Sequence, residues 1–526
     1  MPTLYTVLRA QHRHKLGASK KETKPSGPLV KVGVSSLLQI SRKPGRGKVR
    51  AIPHGTKAVA GHRIAIIGAG LAGLCAAFEL RSMGYQVSVY EARERVGGRV
   101  HSLKEFIKGK TVEGGGELIG SNHALWIAYA KHFGLKFTDA EDYGNSPVRL
   151  NGRTLTFEQG NILADEMDKL KEKLNLLAET IVDPFEPWMN RNAKQLDDMS
   201  VAKWIDKSNW KTTASKKEIN LAKTAMKEQL ASDNGIEARE QSLLGVLAMI
   251  KGGGVDRYWS DTEVYRCEDG NQQLAERFCD EIIDKKGEVV LATKIEKVVR
   301  NGRKINFIGL THVEGNWKPA EIKSADEVIL AVPPSVWGNI RSNDKTVDGI
   351  LRGAPRMGKN VKFLMSFKKR FWEDFSSSPT LSEDGPVDMT WETTEADKEN
   401  DGEYAMVAFS GAKHAETCAK WGDKEETKDK YMRDLKVVYP AIDKHLVHFE
   451  FMNWPEKEKW TKASYYFPRL KEVRKWGPIW KMGVDDWFHF AGEHTSYAFM
   501  GYMEGALTSG FRLARRIAVR DKLLPG

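Results

Sequence analysis

The sequence predicts a two-domain α/β protein whose domains are assembled from interleaved segments of the chain. The chain has 526 residues, which is more than one compact core usually holds. A short apolar segment near residue 63 leads into a glycine-rich turn, a helix and a second strand, which is the order of a nucleotide-binding β-α-β unit. Further strand-like segments follow a long, charged, helical stretch, so the first domain resumes after an insertion.

The β-α-β unit begins with the apolar segment 63–67, which ends at Gly68 as buried parallel strands do. A helix is predicted over residues 71–83, because apolar residues recur there at helical spacing and Gly84 follows. Residues 86–92 are predicted to form the second strand.

Gly68, Gly70 and Gly73 form a GxGxxG motif between the first strand and the helix. Gly68 permits the tight turn, Gly70 lets the backbone approach a pyrophosphate, and Gly73 lets helix and strand pack closely. The helix N-terminus offers unpaired N–H groups to phosphates. Glu91, at the end of the second strand, can accept hydrogen bonds from ribose hydroxyls. Although the motif alone is weak, this context predicts a Rossmann-like dinucleotide-binding domain.

The rest of the chain supplies a second domain. Residues 159–251 are predicted to be helical, and residues 382–402 a strand with acidic loops around it. Other predicted elements are the strands 288–299, 327–333, 361–367, 404–410 and 487–492 and the final helix 503–517. The nucleotide-binding domain would gather residues 61–155, 260–345 and 480–526. The substrate-binding domain would be a mixed β-sheet from residues 346–479 covered by the helices of residues 156–259.

Residues 1–60 form a basic N-terminal extension. They hold thirteen Lys and Arg and one acid, Glu22, which accounts for the whole net charge of +12. Their content of Pro, Gly, Ser and Lys favours disorder, while a leader or a basic arm for an acidic surface are the alternatives. The segment lacks the apolar stretch of a secretory signal. It also lacks interleaved aromatic residues, and the body has no basic stripe, so we expect no nucleic-acid partner.

Membrane and metal functions are not indicated. The sequence contains no run of about eighteen apolar residues, so no transmembrane helix is predicted. The four cysteines are scattered without a CxxC pair, which favours buried thiols over disulfides or metal ligands. We therefore expect a cytoplasmic location or assign none. The sequence leaves open whether the protein forms a homo-oligomer.

The segment that follows Glu91 favours FAD over NAD. "EARERVGGRV" contains Arg93 and the run Gly97-Gly98-Arg99, where paired glycines allow close backbone approach and a cation can face phosphates or the ring system. Residues 63–100 resemble the N-terminal signature of the flavin amine oxidase family, which includes monoamine oxidases, polyamine oxidases and L-amino acid oxidases. The resemblance implies that Arg93, Gly98 and Arg99 belong to the FAD site.

The C-terminal segment 488–517 is similar to the closing motif of the same family. By that resemblance, Glu493 contacts the ribityl and phosphate region, and residues 501–506, with Tyr502 and Met503, aim a helix N-terminus at the flavin. A helix N-terminus stabilises the negative charge of reduced flavin. Ile295 matches a family position whose backbone meets the adenine, and residues 331–336 resemble a strand and turn beside the cofactor. The family's flavin-linking cysteine is absent, which implies non-covalent FAD.

The family resemblance also indicates catalytic residues. Lys362 matches a lysine that holds a water near the reactive flavin nitrogen, where a cation would assist reduction of dioxygen; Lys359 is the competing register. Tyr502 matches one wall of an aromatic cage that favours the neutral amine. Tyr465 and Tyr466 are alternatives for the opposite wall, with core packing as the other role for either.

The substrate is less clearly indicated. Residues 112–123 resemble the strand over the flavin, where several L-amino acid oxidases carry a carboxylate-binding arginine; this chain has Leu118 there, after Glu117. The helical insertion nevertheless looks like that of bacterial L-amino acid oxidases, with a clamp from elsewhere. Candidates for the clamp are Arg149, Arg257 and Arg469, and candidates for an apolar side-chain pocket are Trp259, Trp372 and Trp454.

We therefore expect oxidative deamination of L-amino acids to 2-oxo acids, ammonia and hydrogen peroxide, by hydride transfer from Cα to FAD with dioxygen as oxidant. The alternatives are an amine oxidase for monoamines or polyamines, or an amino acid monooxygenase on the same scaffold. A flavin-binding protein without substrate turnover is a further alternative.

Overall fold

The computed structural model describes residues 61–140, 147–372, 381–383, 385–394, 402–422 and 424–525. The N-terminal extension, and part of the acidic segment 382–402, lie outside these residues. The strands are, in chain order, β1 (Arg63–Ile67), β2 (Gln86–Tyr90), β3 (Ser102–Ile107), β4 (Lys110–Glu113), β5 (Phe137–Asp139), β6 (Val148–Leu150), β7 (Arg153–Thr154), β8 (Tyr265–Cys267), β9 (Glu288–Val290), β10 (Thr293–Asn301), β11 (Lys304–Val313), β12 (Asn316–Pro319), β13 (Glu327–Leu330), β14 (Arg341–Ser342), β15 (Asn360–Phe367), β16 (Leu381–Glu383), β17 (Met389–Glu392), β18 (Tyr404–Gly411), β19 (Leu446–Met452) and β20 (Phe488–Phe490).

The helices lie mainly between residues 157 and 261 and at the two ends of the described chain. They are α1 (Leu71–Ser82), α2 (Ala124–Phe133), α3 (Phe157–Ala178), α4 (Ala193–Asp197), α5 (Val201–Lys207), α6 (Lys216–Asn234), α7 (Leu243–Gly253), α8 (Tyr258–Asp261), α9 (Gln272–Asp284), α10 (Lys345–Arg352), α11 (Ala412–Ala419), α12 (Lys424–Leu435), α13 (Glu472–Met482) and α14 (Met503–Arg520). Among the described helices, none is both long and apolar enough to cross a lipid bilayer.

A parallel sheet of five strands forms the nucleotide-binding domain, in the order β20-β13-β1-β2-β9. Its central strand is buried because Ile64, Ala65, Ile66 and Ile67 are all apolar, which suits a sheet covered on both faces. Helix α1 packs between α9 and α14, so the first and last helices of the described chain are in contact. The predicted β-α-β unit and the late strands of this domain are thereby confirmed.

A second sheet carries strands in the order β12-β11-β10-β14. The sequence predicts one strand over residues 288–299, but the chain divides there into β9 and β10, which belong to different sheets. Between them, Ala292 adopts a left-handed φ of 50°, which breaks the extended backbone. The apolar pattern continues through the break, and for this reason periodicity alone does not reveal it.

The predicted substrate-binding domain contains a seven-stranded sheet with the order β19-β15-β18-β17-β16-β6-β7. Alternate residues of β15, among them Val361 and Phe363, pack with α11 and α12 on one face of the sheet. Strands β6 and β7 pair in this sheet, although residues 61–155 were predicted to belong to the other domain. The domain limits stay a prediction.

Candidate active site

A cavity of about 530 Å³ lies between the parallel sheet and the seven-stranded sheet. Gly70 and Glu91 line it at the carboxyl end of the parallel strands, where α/β sheets bind their ligands. Lys362, Tyr465 and Tyr502 line the part that faces the seven-stranded sheet. One cavity therefore joins the predicted cofactor residues to the predicted catalytic residues.

The three glycines of the motif have distinct surroundings. Gly68 has a φ of 110°, which favours glycine, and its N–H donates to the carbonyl of Tyr90 at 2.8 Å. A Cβ on Gly73 would lie 2.1 Å from the carbonyl oxygen of Gly68, so helix and turn are in direct backbone contact. A Cβ on Gly70 would meet no atom within 4 Å. Gly70 therefore faces open space inside the cavity, at the start of a helix without a side-chain cap.

Glu91 and Arg93 form the next part of the cavity wall. The Glu91 carboxylate accepts from the Ala69 N–H at 2.9 Å and from the Arg93 N–H at 3.0 Å. The Arg93 guanidinium donates to Glu91 at 3.3 Å and to the hydroxyl of Thr461 at 2.6 Å. These bonds hold the acid at the end of β2 beside the glycine turn.

Gly98 and Arg99 connect the nucleotide end of the cavity to the C-terminal segment. Gly98 has a φ of 61°, and a Cβ there would lie 3.4 Å from the Cα of Gly70. The Arg99 guanidinium donates to Glu493 at 2.7 Å and to the carbonyl of Ser464 at 2.6 Å. The carboxylate of Glu493 also accepts from the Gly501 N–H at 3.0 Å. Glu493 thus connects the segment around Arg99 with the turn that precedes helix α14.

Helix α14 begins at this junction. Tyr502 is its N-cap residue but provides no side-chain cap, so the first N–H groups of the helix stay available for an anion. Tyr502 and Met503 both line the cavity. Gly501 has a φ of 79°, and the turn there lets the chain pass close to the ring of Tyr465, which a Cβ would approach to 3.2 Å.

These features fit FAD. The open face of Gly70 and the uncapped start of α1 suit a pyrophosphate, and the uncapped start of α14 suits the anionic edge of a flavin. Ile295 lines the same cavity, next to an irregularity between Ile295 and Lys297 in the pairing of β10 with β11. All four cysteines are described, and none of them lines the cavity, which agrees with non-covalent binding.

The side chain of Lys362 enters the cavity because it lies on the face of β15 opposite Val361 and Phe363. Its ammonium donates to Glu117 at 2.8 Å and to the carbonyl of Glu113 at 3.2 Å. Burial would raise the pKa of Glu117, but Lys362 and Arg266 outweigh it and hold this pKa at about 2. Glu117 is therefore a charged partner of Lys362.

The competing lysine has a different environment. Lys359 precedes β15 and does not line the cavity, and its ammonium lies 3.6 Å from Glu416 and 3.7 Å from Glu456. Of the two lysine registers, the structure brings only Lys362 to the predicted flavin residues.

The two adjacent tyrosines also differ. The ring of Tyr465 lies against Gly501, and its hydroxyl donates to the backbone carbonyl of Asp233 at 2.7 Å. Tyr466 also lines the cavity, but it is fully buried, its hydroxyl donates to Glu472 at 3.0 Å, and its ring packs edge-on against Trp480. Tyr465 is therefore the better candidate for the wall opposite Tyr502. Burial raises the pKa of Tyr465 and of Tyr502 well above the ordinary value, so both phenols stay neutral.

The structure does not bring Arg257 to the cavity. Its guanidinium donates to Asp261 at 2.7 Å and to Ser121 at 3.1 Å, and 43% of its side chain is exposed. Arg469 lies 3.4 Å from Glu240, and Arg149 lies 3.6 Å from Asp434, both outside the cavity. Arg257 pairs with an acid one helical turn away, whereas Arg149 and Arg469 pair with acids distant in sequence, which the sequence does not reveal.

Leu118 lines the cavity where the clamp of an amino acid oxidase would lie. Trp454 is also in the lining, and its indole N–H donates to the carbonyl of Gly114 at 2.9 Å. Trp259 and Trp372 are buried outside the cavity. Only one of the three predicted tryptophans therefore contributes to the described wall.

Trp391, Asp233 and Glu263 are among the cavity residues that were not predicted from the sequence. The indole N–H of Trp391 donates to Glu117 at 3.0 Å, and its ring lies 5.5 Å from the Lys362 ammonium. Asp233, in the last turn of α6, and Glu263, after α8, are also in the lining. No local motif marks any of them, because each reaches the cavity from a separate element.

Comparisons with known proteins agree with this geometry. The family model described as flavin containing amine oxidoreductase matches residues 71–518. The chain is 26% identical over 481 residues to a probable flavin-containing monoamine oxidase A of Dictyostelium discoideum, covering 88% of this chain and 98% of the relative. Putrescine oxidase bound to putrescine has a similar fold, with a TM-score of 0.73, 24% identity, and coverage of 87% and 99%. Cyclohexylamine oxidase from Brevibacterium oxydans also has a TM-score of 0.73, with 22% identity and coverage of 88% and 99%.

Proposed function

The chain belongs to the family of flavin-containing amine oxidoreductases, and from this premise we propose that it is an FAD-dependent amine oxidase. When bound, FAD would supply the redox chemistry, in which a neutral amine is oxidised to an imine by hydride transfer and dioxygen is reduced to hydrogen peroxide; water would then hydrolyse the imine of a primary amine to a carbonyl compound and ammonia. The protein contributes binding, orientation and electrostatics.

One observation carries the proposal: Lys362, Tyr465 and Tyr502 line the same cavity as the glycine turn. Aromatic rings beside a bound amine would lower the local polarity and favour its uncharged form, which is the form with a lone pair available. They also exclude water from the reacting carbon. Neither tyrosine serves as a base at neutral pH, because burial raises the pKa of both.

Lys362 supplies the positive charge. Its buried ammonium is held by Glu117 at 2.8 Å, so a cation is in place before any reaction begins. A charge fixed in this way stabilises negative charge that develops on dioxygen as it is reduced. Residues outside the pair then need no rearrangement during that step.

The geometry favours an amine over an α-amino acid as substrate. An α-carboxylate requires a cation beside the reacting carbon, and arginine provides it bidentately. Among the described residues, the arginines that line the cavity are Arg93 and Arg99, and both donate to acids of the cofactor region. The substrate side is instead acidic, with Asp233 and Glu263 in its wall.

L-amino acid oxidation is the second candidate. Two lysines line the cavity among the described residues. Lys294 lies beside Ile295 and is paired with Glu296, and Lys362 is paired with Glu117. A monooxygenase outcome on an amino acid would need the same contact. Both alternatives therefore require Lys362 to exchange its partner when substrate binds.

The test is a peroxide assay on the FAD-loaded protein over a matched panel. Phenethylamine and L-phenylalanine differ only by the carboxylate, and putrescine and L-ornithine form a second such pair. We expect peroxide and flavin bleaching with the amines and little turnover of the amino acids. If the protein turns over L-phenylalanine but not phenethylamine, the proposal is refuted in favour of an amino acid oxidase. A decarboxylated amide among the products would instead identify a monooxygenase.

A further inference from the structure

A second buried cation lies behind the pair formed by Lys362 and Glu117. Arg266 belongs to strand β8, and only 11% of its side chain is exposed, yet it does not itself line the cavity. Its guanidinium donates to the carboxylate of Glu117 at 3.0 Å. Two backbone hydrogen bonds between Ile119 and Tyr265, at 2.8 and 2.9 Å, hold β8 beside the segment that carries Glu117. The chemistry derived above gives Arg266 no role.

The Glu117 carboxylate is held on both of its oxygens. One oxygen accepts from the Lys362 ammonium at 2.8 Å, and the other accepts from Arg266 and from the indole N–H of Trp391, each at 3.0 Å. Arg266 also donates to the backbone carbonyl of Glu392, the residue after Trp391 in β17, at 2.7 Å. Donors from β15, β8 and β17 thus fix the carboxylate and both cations before any reaction begins.

The charges of these three side chains do not cancel. Burial alone would raise the pKa of Glu117, but Lys362 and then Arg266 outweigh burial and hold this pKa at about 2. The carboxylate is therefore ionised at neutral pH and offsets one of the two cations. Lys362 and Glu117 alone would present no net charge to the cavity, whereas the three side chains together carry one positive charge.

Two further acids of the described chain lie near this cluster. The carboxylate of Glu392 accepts from the Arg370 guanidinium at 2.7 and 2.9 Å, so it is neutralised by a cation of its own. Burial raises the pKa of Glu113 to about 7, so this carboxyl group is largely uncharged in slightly acidic solution. Neither acid therefore offsets the charge of Arg266 at pH 6.

We propose that Arg266 is a positioning residue for the reduction of dioxygen, because it offsets Glu117 and so leaves the positive charge of Lys362 effective at the flavin. This inference rests on the proposed amine oxidase function. Dioxygen takes up two electrons and two protons to become hydrogen peroxide, and negative charge develops on it during that step. Arg266 exchanges neither electrons nor protons. It contributes only the field of a fixed charge.

The experiment changes the charge of the cluster in steps, on the FAD-loaded protein at pH 6. Arg266→Met lowers the cluster from one positive charge to none, because Lys362, the stronger of the two cations acting on Glu117, still favours the ionised carboxylate. The double variant Arg266→Met with Glu117→Gln removes one charge of each sign and so restores a single positive charge. The reduction potential of the bound flavin is measured against a reference dye. Reoxidation by dioxygen is measured after photoreduction, so no amine is needed.

The predicted order of the variants follows the charge. Arg266→Met should shift the potential to a more negative value and slow reoxidation by about 10-fold, since the lost charge acts from behind the cavity wall. Arg266→Lys keeps the charge and should stay close to wild type. The double variant should recover the potential and the rate that Arg266→Met loses.

A purely structural role for Arg266 predicts a different order. The double variant loses more hydrogen bonds than Arg266→Met, so it would then lie further from wild type; that order, or an unchanged potential in Arg266→Met, overturns the inference. Arg352→Met is the control, since it breaks an exposed pair with Asp348 outside the cavity and should change neither quantity. If Arg266→Met fails to take up FAD, Glu117→Gln alone remains decisive. It raises the cluster to two positive charges and should make the potential more positive, and a negative shift would overturn the inference.

The failure of this inference is distinguishable from failure of the proposed function. If the variants follow the charge order but no amine reduces the wild-type flavin, the charge balance is supported and the amine oxidase function is refuted. If wild-type protein oxidises amines while the potential does not follow the charge, the function stands and the role of Arg266 is refuted.

Discussion

Replacing Lys362 by Met tests whether the buried ion pair places a charge at the reactive end of the cavity. The pKa of Glu117 falls from 4.5 to about 2 despite burial, which corresponds to about 3 kcal/mol in favour of its ionised form. Removing one partner of a buried pair costs about 3 to 5 kcal/mol. Because Arg266 remains 3.0 Å from Glu117, we expect the lower limit, a loss of about 3 kcal/mol.

The same substitution should slow reoxidation of reduced flavin by dioxygen about 100-fold, as for removal of one fixed positive or hydrogen-bonding group at developing negative charge. Denaturant unfolding measures the first effect, and stopped-flow mixing of reduced protein with oxygenated buffer measures the second. Lys359→Met is the matched control, since this lysine is a third exposed and makes only long ion pairs. We expect it to change stability by about 0.5 kcal/mol or less and leave reoxidation intact. Equal effects of the two substitutions would refute the assignment of Lys362.

Three further predictions concern the glycine turn and two buried acids. Gly70→Ala should leave the melting temperature of the apoprotein unchanged but abolish FAD uptake, because its Cβ enters open cavity, whereas Gly73→Ala should destabilise the apoprotein itself; equal melting temperatures for both apo variants would contradict this. Burial opposes ionisation of Glu327, but His489, His62 and Arg520 lower its pKa, so Glu327→Gln should destabilise the protein most near neutral pH and lose its effect as pH falls below about 4. Thermal unfolding measured as a function of pH checks this prediction. A difference in melting temperature between wild type and Glu327→Gln that grows as the pH falls would contradict it. The pKa of Asp233 is raised to about 8, so stability declines as pH rises toward that value, and Asp233→Asn should gain in melting temperature over wild type between pH 4 and 8; a constant difference would refute the shift.

The parts of the site that follow from local sequence were predictable. The turn at Gly68, Gly70 and Gly73 carries its structural reason in its own spacing, since each glycine answers a backbone constraint. The strand that holds Lys362 was also predicted, and alternation along the strand decides which face the lysine takes. Similarity to a known family favoured Lys362 over Lys359. The pattern of polar and apolar residues alone could not distinguish these two lysines.

The parts that depend on tertiary pairing were not predictable. Tyr465 and Tyr466 are adjacent in an irregular segment and both line the cavity, so no periodicity indicates which ring faces Gly501. Arg149 and Arg469 satisfy the chemistry of a carboxylate clamp, but their acidic partners, Asp434 and Glu240, are far from them in sequence. Arg257 differs, because its partner Asp261 lies only one helical turn away. Asp233 and Glu263 meet only because two separate segments converge at one wall.

Glu493 links Arg99, near the start of the described chain, to Gly501, near its end, and this arrangement bears on how the protein folds during synthesis. Strand β20 and helix α14 follow the other described elements in the chain, yet they complete the parallel sheet and cover α1. A nascent chain therefore keeps one edge of β13 open until residues 488–490 have left the ribosome, a state that favours aggregation. A chain truncated before residue 488 would lack β20, Glu493 and the start of α14, and with them the sheet edge and the flavin end of the cavity.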